Sequence, residues 1–432
     1  MSLDLDKLYQ YAANEEDARV CKDIDESACK EVPGNFFKIL LTQTLTKLAD
    51  ALASSKVVLP WLMAGAGVPA LYTGLVVPIR ESGSLLPQLF IGGVIRSYPV
   101  RKWSFVLGSV LQGVCVLLMM WTLLTWQGTQ AGITTIALLI VFSLSRGLCS
   151  VASKDVLGKT IPKSRRGLLT GYAGSSSGLV TLLISVGLFV YVDPDAGVYP
   201  YLLAIAAGAW FLGAWSYASV NEFAGETDGG GNAFKNAIES LSILKTDPEF
   251  SRFVTVRAFL LSTGLAAPFI VLAAQSSDLA QSWMNLGLFV GVSGLASLLS
   301  GRFWGRFADL ASHKLLMITA GLSTVICALV VATMWLSTPY DFYLYLILFF
   351  ALSVTLQGIR IARKTYVVDL AGGNKRTEYV SVSNTAIGFL LLISGVITSV
   401  IALYSQIAVM VFFSLSGLAA CLIGRKLPSV AD

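Results

Sequence analysis

Arg146, Ser150, Ser153 and Lys154 stand at i, i+4, i+7 and i+8 within a stretch that is otherwise apolar. On a helix, that spacing gathers them into one polar stripe. Gln357, Arg360, Arg363 and Lys364 make a similar, slightly broader stripe farther along the chain. In the first apolar stretch Lys47, Asp50 and Ser54 share a face from which Lys56 points away, and in the second Arg80 and Glu81 are adjacent and so diverge. A charge near the centre of a bilayer costs about 2.5–3.5 kcal/mol on insertion scales, so each of these groups needs a cavity or a partner. Basic stripes that converge on one cavity favour an anionic ligand, because Arg grips a carboxylate or phosphate through two parallel hydrogen bonds. Arg146 and Arg360 lie near the middle of their stretches and are the expected substrate contacts, with Arg80, Gln357 and Ser150 beside them. Lys56 either joins that group or reaches water from the outer third. Arg363, Lys364 and Lys154 lie nearer an end and read as snorkelling or loop-pairing groups, and Arg257 reads as an interfacial anchor.

Two acids, Asp50 and Glu81, are candidates for proton coupling. Low dielectric favours a protonated carboxyl unless a cation offsets it, so alternating exposure can fill and empty such a site. The competing reading is neutralisation, of Lys47 one turn from Asp50, and of Lys56 or Arg146 by Glu81. The single His, His313, falls in a connection and is poorly placed as a relay. No Gly-rich loop ending in Lys-Ser/Thr is present, nor a Cys/His metal cluster, nor a credible nucleophile–base pair, so no cofactor and no enzyme activity are expected. The six Cys lack metal-ligand spacing and read as small packing residues or reduced thiols.

The elements that must position these groups are about twelve apolar stretches of roughly 19 to 28 residues, each able to cross a hydrocarbon core of about 30 Å. They run approximately 38–63, 69–95, 103–126, 131–158, 168–192, 199–221, 253–274, 281–301, 315–337, 340–369, 379–404 and 406–424. Lipid leaves backbone groups no external partner, and strand alternation is missing, so these are helices and the fold is all-α. Hydrophobic residues make up 55% of the chain and charged residues 13%. The net charge of +5 is spread over the connections, which argues against a nucleic-acid surface. The first thirty residues are polar and read as a tail without a secretory signal.

Basic residues fall on alternate connections. Arg96, Arg101 and Lys102 follow the second stretch, Lys159, Lys163, Arg165 and Arg166 the fourth, Lys235, Lys245 and Arg252 the sixth, Arg302, Arg306 and Lys314 the eighth, and Lys375 and Arg376 the tenth. The connections at 64–70, 127–130, 193–198, 275–280, 337–340 and 404–406 carry none. Bases stay on the cytoplasmic side, so both termini are expected there, in the inner membrane. The longest connection holds Gly229-Gly230-Gly231, then Phe234, Ile238, Leu241, Ile243 and Leu244 at near-helical spacing, which predicts a short amphipathic helix on the membrane face. The expected organisation is a tail at 1–35, a six-helix bundle at 36–221, a linker at 222–252, a second bundle at 253–424 and a tail at 425–432. The bundles echo each other: Lys154 to Arg166 and Lys364 to Arg376 share a spacing of twelve, each followed by a Ser-rich helix start.

The run Gly305-Arg306-Phe307-Ala308-Asp309-Leu310-Ala311-Ser312-His313-Lys314 resembles the G-x-L-a-D-r-x-G-r-k loop signature of the major facilitator superfamily, through Gly305, Asp309 and Lys314. A more worn copy, Gly93-Val94-Ile95-Arg96-Ser97-Tyr98-Pro99-Val100-Arg101-Lys102, keeps Gly93, Arg101 and Lys102 but places Ser97 where the acid belongs. The stretch from Pro78 to Gln88 is also similar to a group of bacterial permeases in that superfamily. The resemblance covers about residues 36–424. It implies two six-helix bundles rocking about a central path lined by spans one, four, seven and ten. It also implies a conformational latch at the two loop motifs, with the acid present only in the second copy, as Asp309. The charged residues sit mainly on spans one, two, four, seven and ten, so the census made without the family overlaps the implied path.

The expectation is therefore a monomeric, proton-coupled secondary transporter for a small organic anion or acidic zwitterion, with the lipid bilayer as its surroundings. Two alternatives stand beside it: a lipid flippase or pigment-handling member of the superfamily, and a sensor or scaffold that binds without transport.

Overall fold

A computed structural model describes residues 30–86, 91, 94–95, 97–191, 200–225, 242–276, 284–370 and 376–429. Among the described residues the chain is entirely helical, without strands. Helices α1 (Val32–Leu52), α2 (Val58–Gly65), α3 (Ala70–Leu85), α4 (Lys102–Thr125), α5 (Gly128–Thr160), α6 (Lys163–Tyr191) and α7 (Tyr201–Ala218) come first. After the linker follow α8 (Ile243–Thr246), α9 (Pro248–Phe259), α10 (Leu261–Gln275), α11 (Met284–Leu336), α12 (Asp341–Leu370), α13 (Arg376–Tyr404) and α14 (Gln406–Gly424). Nine described segments are long and apolar enough to cross a bilayer, with Leu286–Ser300 as a shorter apolar helix. The protein is a multi-pass membrane protein.

Local chemistry explains several boundaries. Asp247 caps α9, its Oδ1 accepting from the backbone of Glu249 and Phe250 at 3.0 Å each, with Pro248 in the first turn where its missing N–H costs nothing. Ser405 separates α13 from α14 and caps the latter by accepting from Ala408 N at 3.2 Å. Exposed residues on α4 (Leu107, Val114, Leu118, Trp121) line one apolar face, as a lipid-facing stripe requires. Trp335 and Tyr404, both near helix ends, suit the aromatic belt where bilayer meets water.

Three departures from the sequence reading bear on the site. The first predicted span is not one helix: α1 ends at Leu52 and α2 begins at Val58. The seventh is likewise divided at Leu260, between α9 and α10. The eighth and ninth stretches, by contrast, adjoin closely: the run α11 is two helices that meet at the non-helical Ala311 (φ −162°, ψ 75°), so the predicted connection at Gly305 to Lys314 shortens to a kink there. Of the predicted amphipathic helix, Phe234, Ile238 and Leu241 lie outside the described residues, and Ile243 and Leu244 fall in the short α8.

The first and second sets of helices meet along α3 with α13, α6 with α11, and α2 with α10. The named contacts lie mostly toward the end opposite the termini. Gln275 Nε2 donates to Trp61 O at 3.3 Å, and Ser185 Oγ to Gly287 O at 2.6 Å. Gly395 lies flat against Pro78: a Cβ there would collide with the proline ring. Gly74 makes the matching approach, its virtual Cβ 2.6 Å from Ser399 Oγ and 3.2 Å from the Phe269 ring. Such backbone-to-side-chain contact needs residues without bulk.

Candidate functional site

Two charged clusters occupy the membrane interior. In the first, Asp50 of α1 is shared by two guanidiniums. Arg80 of α3 donates from Nη2 to Asp50 Oδ1 at 2.8 Å, and Arg146 of α5 donates from Nη1 to the same oxygen. Arg80 also donates from Nη1 to Ser55 Oγ at 3.0 Å and lies over the Phe142 ring, 5.8 Å from its centroid. Arg80 is buried, whereas the Arg146 side chain keeps 36% of its surface exposed. Asp50 thus pairs across helices with Arg80 and Arg146, and not with Lys47, whose Nζ instead donates to Thr170 O on α6 at 3.0 Å.

The second cluster lines a cavity of about 110 Å³ between the two sets of helices. Its polar walls are Lys56, Glu81, Arg360 and Arg363; Val77, Leu261, Ile387 and Leu391 are among its apolar ones. Lys56 lies in the turn between α1 and α2, within electrostatic reach of Glu81, Arg360, Arg80 and Arg363. Unwound backbone at such depth is tolerated where it borders a cavity, and the N-terminus of the following half-helix adds partial positive charge. The break in the corresponding helix of the second set, at Leu260, is also on the cavity wall. None of Lys56, Glu81, Arg360 or Arg363 takes part in an ion pair within 4.0 Å. Three unpaired cations face one unpaired acid. Lys364, one residue on, is exposed and within electrostatic reach of Lys154 and Lys47 on the opposite set, so like charges face each other across the gap.

The remaining expected groups are placed as follows. Gln357 is half-buried and donates from Nε2 to Ser297 Oγ of α11 at 3.1 Å. Ser150 is half-buried one turn beyond Arg146, and its carbonyl accepts from Ser153 Oγ at 3.3 Å. Of the loop motifs, Gly93, the surroundings of Gly305 and the side chain of Asp309 lie outside what the structure describes, and Lys314 is exposed. Arg101 and Lys102 belong to a network that sequence reasoning missed. The Glu222 carboxylate, with a side chain 0% exposed, accepts from Arg101 N (3.0 and 2.9 Å), Lys102 N (2.7 Å) and Lys159 Nζ (3.0 Å). Asp155 pairs with Arg101 and, at 3.3 Å, with Lys159. An anion at the start of α4 offsets the positive helix end, so Glu222 and Asp155 supply the negative charge that Ser97 cannot. Arg257 was also misplaced by sequence depth alone. It is 7% exposed and donates from Nη1 to Ser383 Oγ (2.5 Å) and from Nη2 to Asn384 Oδ1 (2.9 Å), holding α9 to α13 from within. Among the described residues, no group of three His, Cys, Asp or Glu could hold a metal ion.

Comparison with known proteins places this arrangement. The family model described as Major Facilitator Superfamily matches residues 40–385. No curated protein matches the sequence. Among solved structures, the nucleoside transporter NupG superposes with TM-score 0.68 at 10% identity, over 91% of this chain and 99% of that one. The xylose transporter XylE from E. coli, inward open, superposes with TM-score 0.62 at 13% identity, over 92% and 97%. A POT family transporter in complex with 5-aminolevulinic acid superposes with TM-score 0.68 at 13% identity, over 90% and 94%. At these identities the likeness is one of fold, and it agrees with the broken helices and the cavity between two helical sets. The chain belongs to the major facilitator superfamily, a family of membrane transporters.

Proposed function

We propose that this protein is a secondary active transporter that moves a small organic anion, or a zwitterion with an acidic group, by alternating access and in exchange for or together with protons. The observation that carries this reading is the cavity holding Lys56, Arg360 and Arg363 against the single acid Glu81, none of them ion-paired. Desolvated cations without counterions are costly, and an entering anion supplies what they lack. Lys56 and Arg360, from opposite sets of helices, form the central grip. Arg146 and Arg80 lie deeper in the first set, held by Asp50. Protonation of Asp50 would release both guanidiniums at once, and Glu81 in the cavity wall is the second proton-accepting group. The protein acts as a monomer of two six-helix bundles, 36–221 and 253–424, in the inner membrane. With the basic connections cytoplasmic, contacts gathered at the opposite end correspond to an inward-facing state.

Reconstitution tests this directly. Arg360→Gln and Lys56→Met are expected to abolish anion counterflow in proteoliposomes while the variants elute as folded protein. Wild-type counterflow in both removes the cationic site. Glu81→Gln is expected to keep counterflow but lose acceleration by an imposed pH gradient; full acceleration in that variant removes it from the proton path.

A further inference from the structure

Arg257 poses a problem that the central grip does not solve. Its guanidinium is buried, its only hydrogen-bond partners are the neutral Ser383 and Asn384, and its Nε has no acceptor. Among the described residues no carboxylate pairs with it. The charge within its electrostatic reach is another cation, Arg363. Three helices place this pair at one level. Arg257 precedes the cavity-lining Leu260 and Leu261 by three and four residues, and Ser383 precedes the cavity-lining Ile387 by four. Arg363 follows Arg360 by three. A step of three or four residues is one helical turn, roughly 4.5–6 Å along the axis. The second cationic level therefore lies one turn from Lys56 and Arg360, toward the end that bears the termini.

We infer that Arg257 and Arg363 form a second anion subsite, and that the transported ligand is a small dicarboxylate whose two carboxylates sit one helical turn apart. This inference rests on the anion-transport reading above and specifies its substrate class. Charge counting favours it: the cavity walls carry the three cations Lys56, Arg360 and Arg363 against the one acid Glu81, so a monoanion leaves the site cationic and a dianion comes closer to balance. Geometry selects among dianions. A phosphate places both charges on one centre, whereas two levels a turn apart ask for two centres joined by a short chain. The arginine geometry is suited to the purpose, since Nε and one Nη proton together can hold a carboxylate by two parallel bonds. A cavity of about 110 Å³ is smaller than the roughly 150 Å³ that accommodates benzene, which limits the ligand to a few carbons.

The experiment uses the full-length protein in detergent and follows thermal stabilisation by succinate, glutarate and adipate against butyrate and inorganic phosphate. Glutarate or a neighbour in length is expected to bind about tenfold or more tightly than butyrate. Arg257→Gln and Arg363→Gln are each expected to bring that ratio toward one, and Arg257→Lys to restore part of it. If Arg257→Gln does not fold, Arg363→Gln decides through the same ratio. Equal affinity for glutarate and butyrate in the wild type, phosphate binding as tightly as glutarate, or a ratio unchanged in the variants overturns the second subsite while leaving the central grip standing. Binding of none of these anions overturns both.

Discussion

Among the described residues Asp50 alone engages two intramembrane guanidiniums, so removing its charge gives a quantitative test of how that cluster is held. In Asp50→Asn, Arg80 keeps Ser55 Oγ and the Phe142 face but loses its counterion, and its Nε is already without an acceptor. Breaking a buried pair by removing one partner costs about 3–5 kcal/mol, because the surviving charge stays desolvated. Arg146, being 36% exposed, relaxes toward water and contributes less than about 1 kcal/mol of that loss. A double-mutant cycle separates the two contributions. Coupling of Asp50→Asn with Arg80→Gln is expected at about 3 kcal/mol, and with Arg146→Gln below about 1 kcal/mol. The assay is equilibrium unfolding in mixed micelles, followed by tryptophan fluorescence. An Asp50→Asn variant as stable as wild type, or stronger coupling to Arg146 than to Arg80, refutes the reasoning.

Other perturbations follow from the same geometry. Gly395→Ala drives a methyl into the Pro78 ring and is expected to part α3 from α13, read as faster thiol labelling of a cysteine introduced at Gln406; unchanged labelling counts against that seam as the closed end. Glu222→Gln removes the charge at the start of α4 and is expected to cost about 2–3 kcal/mol in thermal or micellar unfolding, with a loss below about 0.5 kcal/mol contradicting its role. Lys364→Gln relieves like-charge repulsion across the gap and is expected to raise the share of protein protected there from soluble thiol reagents; a lower share contradicts the facing-cation picture.

Apolar length alone made most of the spans legible, and α14 was predicted to the residue at 406–424. The charge census also pointed to four helices that border the cavity, those of spans one, two, seven and ten, because a buried charge has few places to go; span four, with Arg146, is not among the lining residues, and span eleven enters through the apolar Ile387 and Leu391. What sequence did not reveal depended on partners distant along the chain. Asp50 has Lys47 one turn away, yet its ion pairs come from Arg80 and Arg146, which lie on other helices. Arg257 sits a few residues into its span, a depth compatible with either an interface anchor or a buried strut; only Ser383 and Asn384 distinguish them. Glu222 looked like the first residue of a linker, and nothing local marks it as the anion beneath a helix that starts 120 residues earlier. The break between the eighth and ninth stretches falls at Ala311, inside the predicted connection, but its shortness was hidden because polar residues at helix ends and in loops are alike.

The interruption in the first span has a mechanical meaning. Its longer piece, α1, packs mainly on α6 and α7, within its own set, whereas the shorter α2 rests against α3 and also on α10 and α11 of the other. One segment of chain is thus tethered to both sets of helices. Any tilt of one set against the other would be absorbed as torsion at 53–57, the residues that include Lys56. Lys56 is thereby mounted on the swivel itself, and such a tilt would change the reach of its amine toward Arg360.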